Sequence, residues 1–230
     1  MDTLYQRIPQ EDFHKHLLLS RLLQLHEVPK EIYIEGSLPN VTIDEFGRST
    51  PRILSVVGSR KYTRYGKSAI EKFIRDLEGE NIIIVSGLAH GIDSIAHASA
   101  LKHNLTTYAV LGNGLNKEVM YPSNHLSLRE EIVNTGGLVV SELPPDTQAA
   151  KWTFPARNRI VAALSDAVLI VEAEEKSGTL ITARLALELG KDIGAIPGEI
   201  FSPTSQGTNM LIREGAYLIG SKDDLFALLH

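Results

Sequence analysis

From Arg52 onward, short β-branched apolar runs alternate with stretches of helical periodicity, and this alternation narrows the possible folds more than any other feature. The runs are Ile53–Val57, Ile82–Val85, Tyr108–Leu111, Leu138–Val140, Ala167–Val171 and Ile193–Ile196. Between them, helical patterns fall near 65–78, 91–103, 124–134, 157–164 and 178–190. Uniformly apolar strands separated by helices belong to a parallel sheet covered on both faces. Right-handed crossovers then give an α/β fold, a doubly wound, mostly parallel sheet with helices on both faces. A last helix is predicted over 222–229.

The part before Arg52 reads differently. Residues 10–26 carry Leu17, Leu18, Leu22, Leu23 and Leu25 at a spacing that predicts one amphipathic helix. A short strand follows at Ile32–Ile34, and the polar, proline-containing stretch 37–51 reads as a connector.

Nearly every predicted strand ends in small or polar residues: GSR at 58–60, SG at 86–87, LGNG at 111–114, SE at 141–142, EAEEKSG at 172–178 and PGE at 197–199. Ligands of open parallel sheets bind beyond the carboxyl ends of the strands, so a site is expected along that rim. Gly58, Ser59 and Arg60 continue into Lys61, Tyr62, Thr63, Arg64, Tyr65, Gly66 and Lys67, a loop and helix start that resemble a phosphate-binding turn. The SGLAHGID turn at 86–93 holds Gly87 and is small enough to pass beneath a ligand. A helix-stabilising pair of Asp93 with His97, four residues on, is expected in the same stretch.

A second cluster opens the helix after Pro144-Pro145. Lys151, Arg157 and Arg159 interleave with Trp152, Phe154 and Asn158. Cations that follow phosphates beside aromatic faces that stack on bases suit a single strand of nucleic acid. Ser177 and Gly178 begin a further helix whose N-terminus can hold a phosphate. The neighbouring Glu172, Glu174 and Glu175 would repel phosphate or pair with the arginines.

Several chemistries are excluded. There are no cysteines, and the net charge of −5 rules out a wholly basic surface but not a local basic patch. Gly66-Lys67-Ser68 imitates the end of a phosphate-binding P-loop, but Lys61 stands where its first glycine is required. Nothing matches G-x-G-x-x-G, G-x-S-x-G or H-E-x-x-H. The expectation is a binding protein, not an enzyme, with no cofactor and no metal. With no apolar h-region and no membrane-length apolar run, a cytoplasmic location is expected.

Taken together, the motifs resemble the DprA/Smf family. They are GSR at 58–60, SGLAHGIDSIAH at 86–97, LGNG at 111–114, YPSN at 121–124, SELPP at 141–145, FPARNRIVAALSDAVLIVEAEEKSGTLITA at 154–183, PG at 197–198 and QGTNMLIREGA at 206–216. The resemblance implies an extended Rossmann-like core that binds and protects single-stranded DNA. It also implies loading of a RecA-type recombinase in natural transformation, and a homodimer with contacts in 210–228. It assigns Gly58, Ser59 and Arg60 to the DNA pocket, makes Lys151 a DNA-contacting lysine, and places Phe154, Arg157, Asn158 and Arg159 along the same groove. Residues 1–45 are expected to be a reduced N-terminal helical extension and 46–230 the DNA-binding core, with no C-terminal winged helix. The competing reading is an enzyme resembling the cytokinin-activating phosphoribohydrolases, or a nucleotide sensor on the same sheet. Against the enzyme, the paired glycines of P-G-G-x-G-T-x-x-E are absent, and Thr182 stands where its glutamate would fall.

Overall fold

The computed structural model describes residues 5–229. The chain begins with β1 (Gln6–Pro9), short helical turns that include α1 (Leu17–Ser20), and β2 (Glu31–Gly36). A small hairpin of β3 (Thr42–Ile43) and β4 (Ser49–Thr50) leads into β5 (Arg52–Val57). Then follow α2 (Arg64–Asp76), β6 (Ile82–Ser86), α3 (Ile92–Lys102), β7 (Thr107–Val110), α4 (Leu126–Asn134) and β8 (Leu138–Ser141). The remainder is α5 (Thr153–Leu164), β9 (Ala167–Ile170), α6 (Gly178–Glu188), β10 (Asp192–Ala195), α7 (Pro203–Arg213), β11 (Tyr217–Leu218) and α8 (Lys222–Leu229).

The large sheet runs β1-β2-β8-β7-β6-β5-β9-β10-β11. Its seven strands from β8 to β11 are parallel, and β1 and β2 are antiparallel additions. This is the Rossmann-like, doubly wound sheet that the alternation implies. The pleat of β5 shows why both faces are covered: Ile53 and Val57 join one core layer, and Leu54 and Val56 join the other. The first layer includes Ile160–Leu164 of α5 and Ala183 and Ala186 of α6. The second includes Ile70, Phe73 and Ile74 of α2, Ile92 and Ala96 of α3, and Leu225 of α8.

The chain proceeds outward from β5 through β6 and β7 to β8, then returns to set β9 on the other side of β5. Strand order therefore reverses between β5 and β9. The loops that leave these two neighbours diverge to opposite faces and open a crevice between them.

The N-terminal stretch departs from the single helix predicted over 10–26. It forms turns at Gln10–Lys15, Leu17–Ser20 and Arg21–Gln24, broken where His16 takes extended backbone (φ −128, ψ 116). The break lets Phe13, Leu18, Leu19 and Leu22 all become fully buried, each contributing about 1.5–3 kcal/mol. Arg21 fixes the last turn by donating to the Leu164 carbonyl and to Asp166. With β1 and β2 in the sheet, residues 6–36 pack as part of the same body as the core.

Candidate nucleic-acid interface

The loops leaving β5 and β9 enclose a cleft of about 630 Å³, with walls completed by the start of α5 and by Ala89, Asp93 and Tyr121. Ten of the expected residues line it: Gly58, Ser59, Arg60, Lys61, Lys151, Phe154, Arg157, Asn158, Ser177 and Gly178. Arg60 and Lys151 are 91 positions apart in the sequence, yet they face the same space.

The β5 wall is tightly built. A side chain at Gly58 would run into Ile92 at 2.7 Å, so this glycine is required by the packing of α3. The Ser59 carbonyl accepts from the Ile92 amide and its hydroxyl accepts from the Lys61 amide, which shapes the loop. Arg60 is exposed and lies over the Phe154 ring, 4.7 Å from its centroid. Phe154 packs on Gly112, where an added Cβ would meet the ring at 3.0 Å, and it tilts against Tyr121 with 5.7 Å between centroids.

The floor is Arg157, only 4% exposed. Its guanidinium lies directly over Gly87, with Nη1 3.8 Å from Asp93 Oδ2, and no side chain larger than hydrogen fits at position 87. Gly87 is thus buried beneath the cleft and serves it by making room for Arg157. Burial pushes the Arg157 guanidinium down from its ordinary value, opposed by Asp93, and nearby Arg60 lowers it further. Burial likewise pushes the Asp93 carboxyl up, with Arg157 and Arg60 acting against that shift. Positive charge therefore converges on the cleft from two segments.

The opposite wall is the start of α6. Asn158 reaches across from α5 to the Gly178 carbonyl at 3.4 Å. Ser177 makes no capping bond, and its Oγ is a buried hydroxyl with no partner among the described residues. Gly178 borders open space.

Two expected residues lie outside this space. Arg159, two positions beyond Arg157 on α5, turns to Glu142 and forms a 2.5 Å ion pair with it. Arg64 sits in the first turn of α2 and does not line the cleft. The phosphate-binding role expected for the start of α2 is also corrected. Buried Glu172 accepts from the Thr63 amide at 2.9 Å and from its hydroxyl at 2.5 Å, and Thr63 Oγ1 accepts from the Gly66 amide. The chain's own carboxylate occupies that helix end, so Glu172 fills the seat a phosphate would take there and is bonded to Thr63, not to an arginine.

The expected Asp93–His97 pair is not made. Asp93 accepts from the Gly87 amide, whereas His97 Nδ1 bonds to Thr107 Oγ1 at 2.7 Å. Burial, with Arg157 adding to it, pushes His97 down to about 3, so it is neutral. Asp93, Thr179, Thr182 and Glu174 also line the cleft, as does Tyr121, to which the sequence assigned no role of its own. Tyr121 stands in the YPSN stretch of the β7–α4 loop, and that proline-containing turn was the signal available for it.

The family model for DNA recombination-mediator protein A matches residues 10–230. Protein Smf of Escherichia coli (strain K12) is 40% identical over 205 residues, covering 89% of this chain and 52% of that protein. The chain thus spans about half the length of that relative. The X-ray structure of DNA processing protein A (DprA) from Streptococcus pneumoniae superposes with a TM-score of 0.85 at 37% identity, covering 98% of this chain and 75% of that one. DNA processing protein A from Helicobacter pylori, whose structure concerns its single-stranded DNA binding mode, gives a TM-score of 0.78 at 31% identity over 99% of this chain and 96% of that one. With these matches to the sequence, the sheet and the motifs around the cleft, the chain belongs to the DNA recombination-mediator protein A family, the DprA/Smf proteins.

Proposed function

We propose that this chain binds single-stranded DNA in the cleft between β5 and β9 and acts on it by holding it, without chemical turnover. One observation carries the reading: Arg60 and Lys61 of the β5–α2 loop and Lys151 from before α5 come from two distant segments into one cleft, beside a Phe154 ring that Arg60 already covers. Cations there neutralise phosphates, and the ring and its neighbours offer base-stacking surface that is tolerant of sequence. The relative from H. pylori, studied for its single-stranded DNA binding mode, supports the choice of ligand.

The enzyme reading is weaker on the same geometry. Where the phosphoribohydrolase motif has a glutamate, Thr182 lines the cleft, so that position offers a hydroxyl and no carboxylate base. By family resemblance, the bound strand is incoming DNA. The chain protects it and passes it to a RecA-type recombinase in natural transformation, as a cytoplasmic homodimer. The two-residue edge strand β11, with Tyr217 and Leu218 both about half exposed, is an open sheet edge within the 210–228 stretch assigned to dimer contacts.

A mobility-shift comparison of single-stranded and duplex DNA, with the solution mass of the free protein measured alongside, tests this reading. Single strands should shift at markedly lower protein concentration, and the mass should be twice that of the chain. Equal affinity for duplex, or no binding at all, overturns it.

A further inference from the structure

The cleft's lining reaches Ala89 and Tyr121 on one side and Glu174 on the other, and the two sides differ in character. Toward β6 and β7, the rings continue beyond Phe154. Tyr121 follows it at 5.7 Å, His90 packs edge-on to Tyr121 at 6.5 Å, and His125 packs edge-on to His90 at 5.0 Å. His125 is fixed by a 2.9 Å bond between its Nδ1 and the Leu88 carbonyl. Tyr121 and His90 are exposed, so this row is open surface and not core. Edge-to-face packing leaves a face of each ring uncovered, and an uncovered aromatic face can receive a base.

The other end of the cleft, toward β9 and β10, has a different character. Glu174, Glu175 and Glu199 are exposed there, with a single exposed lysine, Lys176, among them. Tyr65 bonds through its hydroxyl to the Pro197 carbonyl at 2.6 Å, and Phe201, 83% exposed, follows Glu199 in the loop after β10, so this end is set apart by its charge and not by a lack of rings. Three carboxylates on that rim, against one lysine, oppose a phosphodiester backbone, whereas Glu118 is the one exposed acid in the segments 87–92 and 111–125 that hold His90, Tyr121 and His125.

We infer that a DNA strand held in the cleft leaves it over the carboxyl ends of β6 and β7, with successive bases stacking on Tyr121 and His90. This inference rests on the cleft being the DNA pocket. It adds a direction and two base-contacting residues outside the basic loops. Phe154, Tyr121 and His90 come from three different strand-end segments, so the path is fixed by the sheet and not by one flexible loop.

The test uses two probes, an oligothymidylate trinucleotide and one of roughly 15 nucleotides, within the usual range of single-strand site sizes. Affinities are measured for the wild-type chain and for Arg60→Ala, Tyr121→Ala, Tyr121→Phe, His90→Ala and Phe201→Ala, with circular dichroism melting to confirm folding. Tyr121→Ala and His90→Ala should each weaken the long probe roughly 5- to 100-fold, the range set by losing one stacked base. Tyr121→Phe should restore binding, because it keeps the ring. His90→Ala should change trinucleotide binding by less than about twofold, far below the effect of a lost stack. Phe201→Ala, in the exposed loop after β10, should leave both probes unchanged.

If Phe201→Ala weakens the long probe while Tyr121→Ala and His90→Ala do not, the strand leaves by the other end and the inference is wrong. If the trinucleotide binds and depends on Arg60, but the long probe ignores Tyr121 and His90, the ledge falls and the pocket stands. If Arg60→Ala leaves trinucleotide binding intact, or the wild type binds neither probe, the pocket reading itself fails and the ledge falls with it.

Discussion

Replacing Lys151 with glutamine should flatten the salt dependence of DNA binding by a definite amount. Three accessible cations line the cleft, namely Arg60, Lys61 and Lys151. Arg157 is not counted, because its charge is buried against Asp93, and Arg159 is excluded by its ion pair with Glu142. For single strands, each neutralised phosphate contributes about −0.7 to the slope of log affinity against log salt, so three contacts give about −2. Raising salt from ~50 to ~200 mM should then weaken wild-type binding about 20-fold. Lys151→Gln removes one contact, which brings the slope to about −1.4 and the same salt step to about sevenfold. Fluorescence anisotropy with a labelled single strand, titrated at several salt concentrations, measures both slopes. Affinity that is nearly independent of salt, or a Lys151→Gln slope equal to that of the wild type, would refute the assignment of Lys151 to a phosphate.

Three further outcomes follow from the geometry. Arg159→Gln should leave that slope unchanged while lowering stability in urea, since it strands Glu142 half-buried without its partner; a reduced slope would return Arg159 to the interface. Glu172→Gln should cost roughly 1–3 kcal/mol of stability by weakening the bonds at the start of α2, and an unchanged urea midpoint would remove that role. His97 titrates near 3 in the folded chain against an ordinary 6.5, so the unfolded chain binds the extra proton and stability is lost as pH falls below about 6.5. Between about pH 7.5 and pH 5.5, the wild type should lose about 1.4 kcal/mol more than His97→Gln, and equal losses would contradict a buried neutral imidazole.

The parallel core was readable because β5, β6, β7, β8, β9 and β10 are made of apolar, largely β-branched residues bounded by glycine and polar turns. The elements missed are those whose buried faces are not hydrophobic. The inward residues of α7 are Ser205, Gly207, Thr208 and Leu211, which give almost no apolar period. In β1 the first two residues, Gln6 and Arg7, are exposed and only Ile8 is buried. The site was legible where cations and aromatics gather at strand ends, as at 58–61 and 151–158. Within α5 the sequence could not choose between Arg157 and Arg159, but helix geometry does. Residues two apart face nearly opposite ways, so only one of them can reach the cleft. Glu172 was misjudged because a carboxylate beside a basic loop was read by its charge, whereas its hydrogen bonds to Thr63 decide its role.

The carboxylate at the head of α2 has a consequence for competition inside a cell. In dinucleotide-binding sheets, the helix that follows the first core strand is the seat of the cofactor's pyrophosphate. Here a pyrophosphate arriving at that seat would meet Glu172 already bonded to Thr63, with Gly66 packed against it. Abundant metabolites such as NAD and ATP therefore lose their usual foothold on this architecture, and the surface stays free for a polymer that grips several points at once.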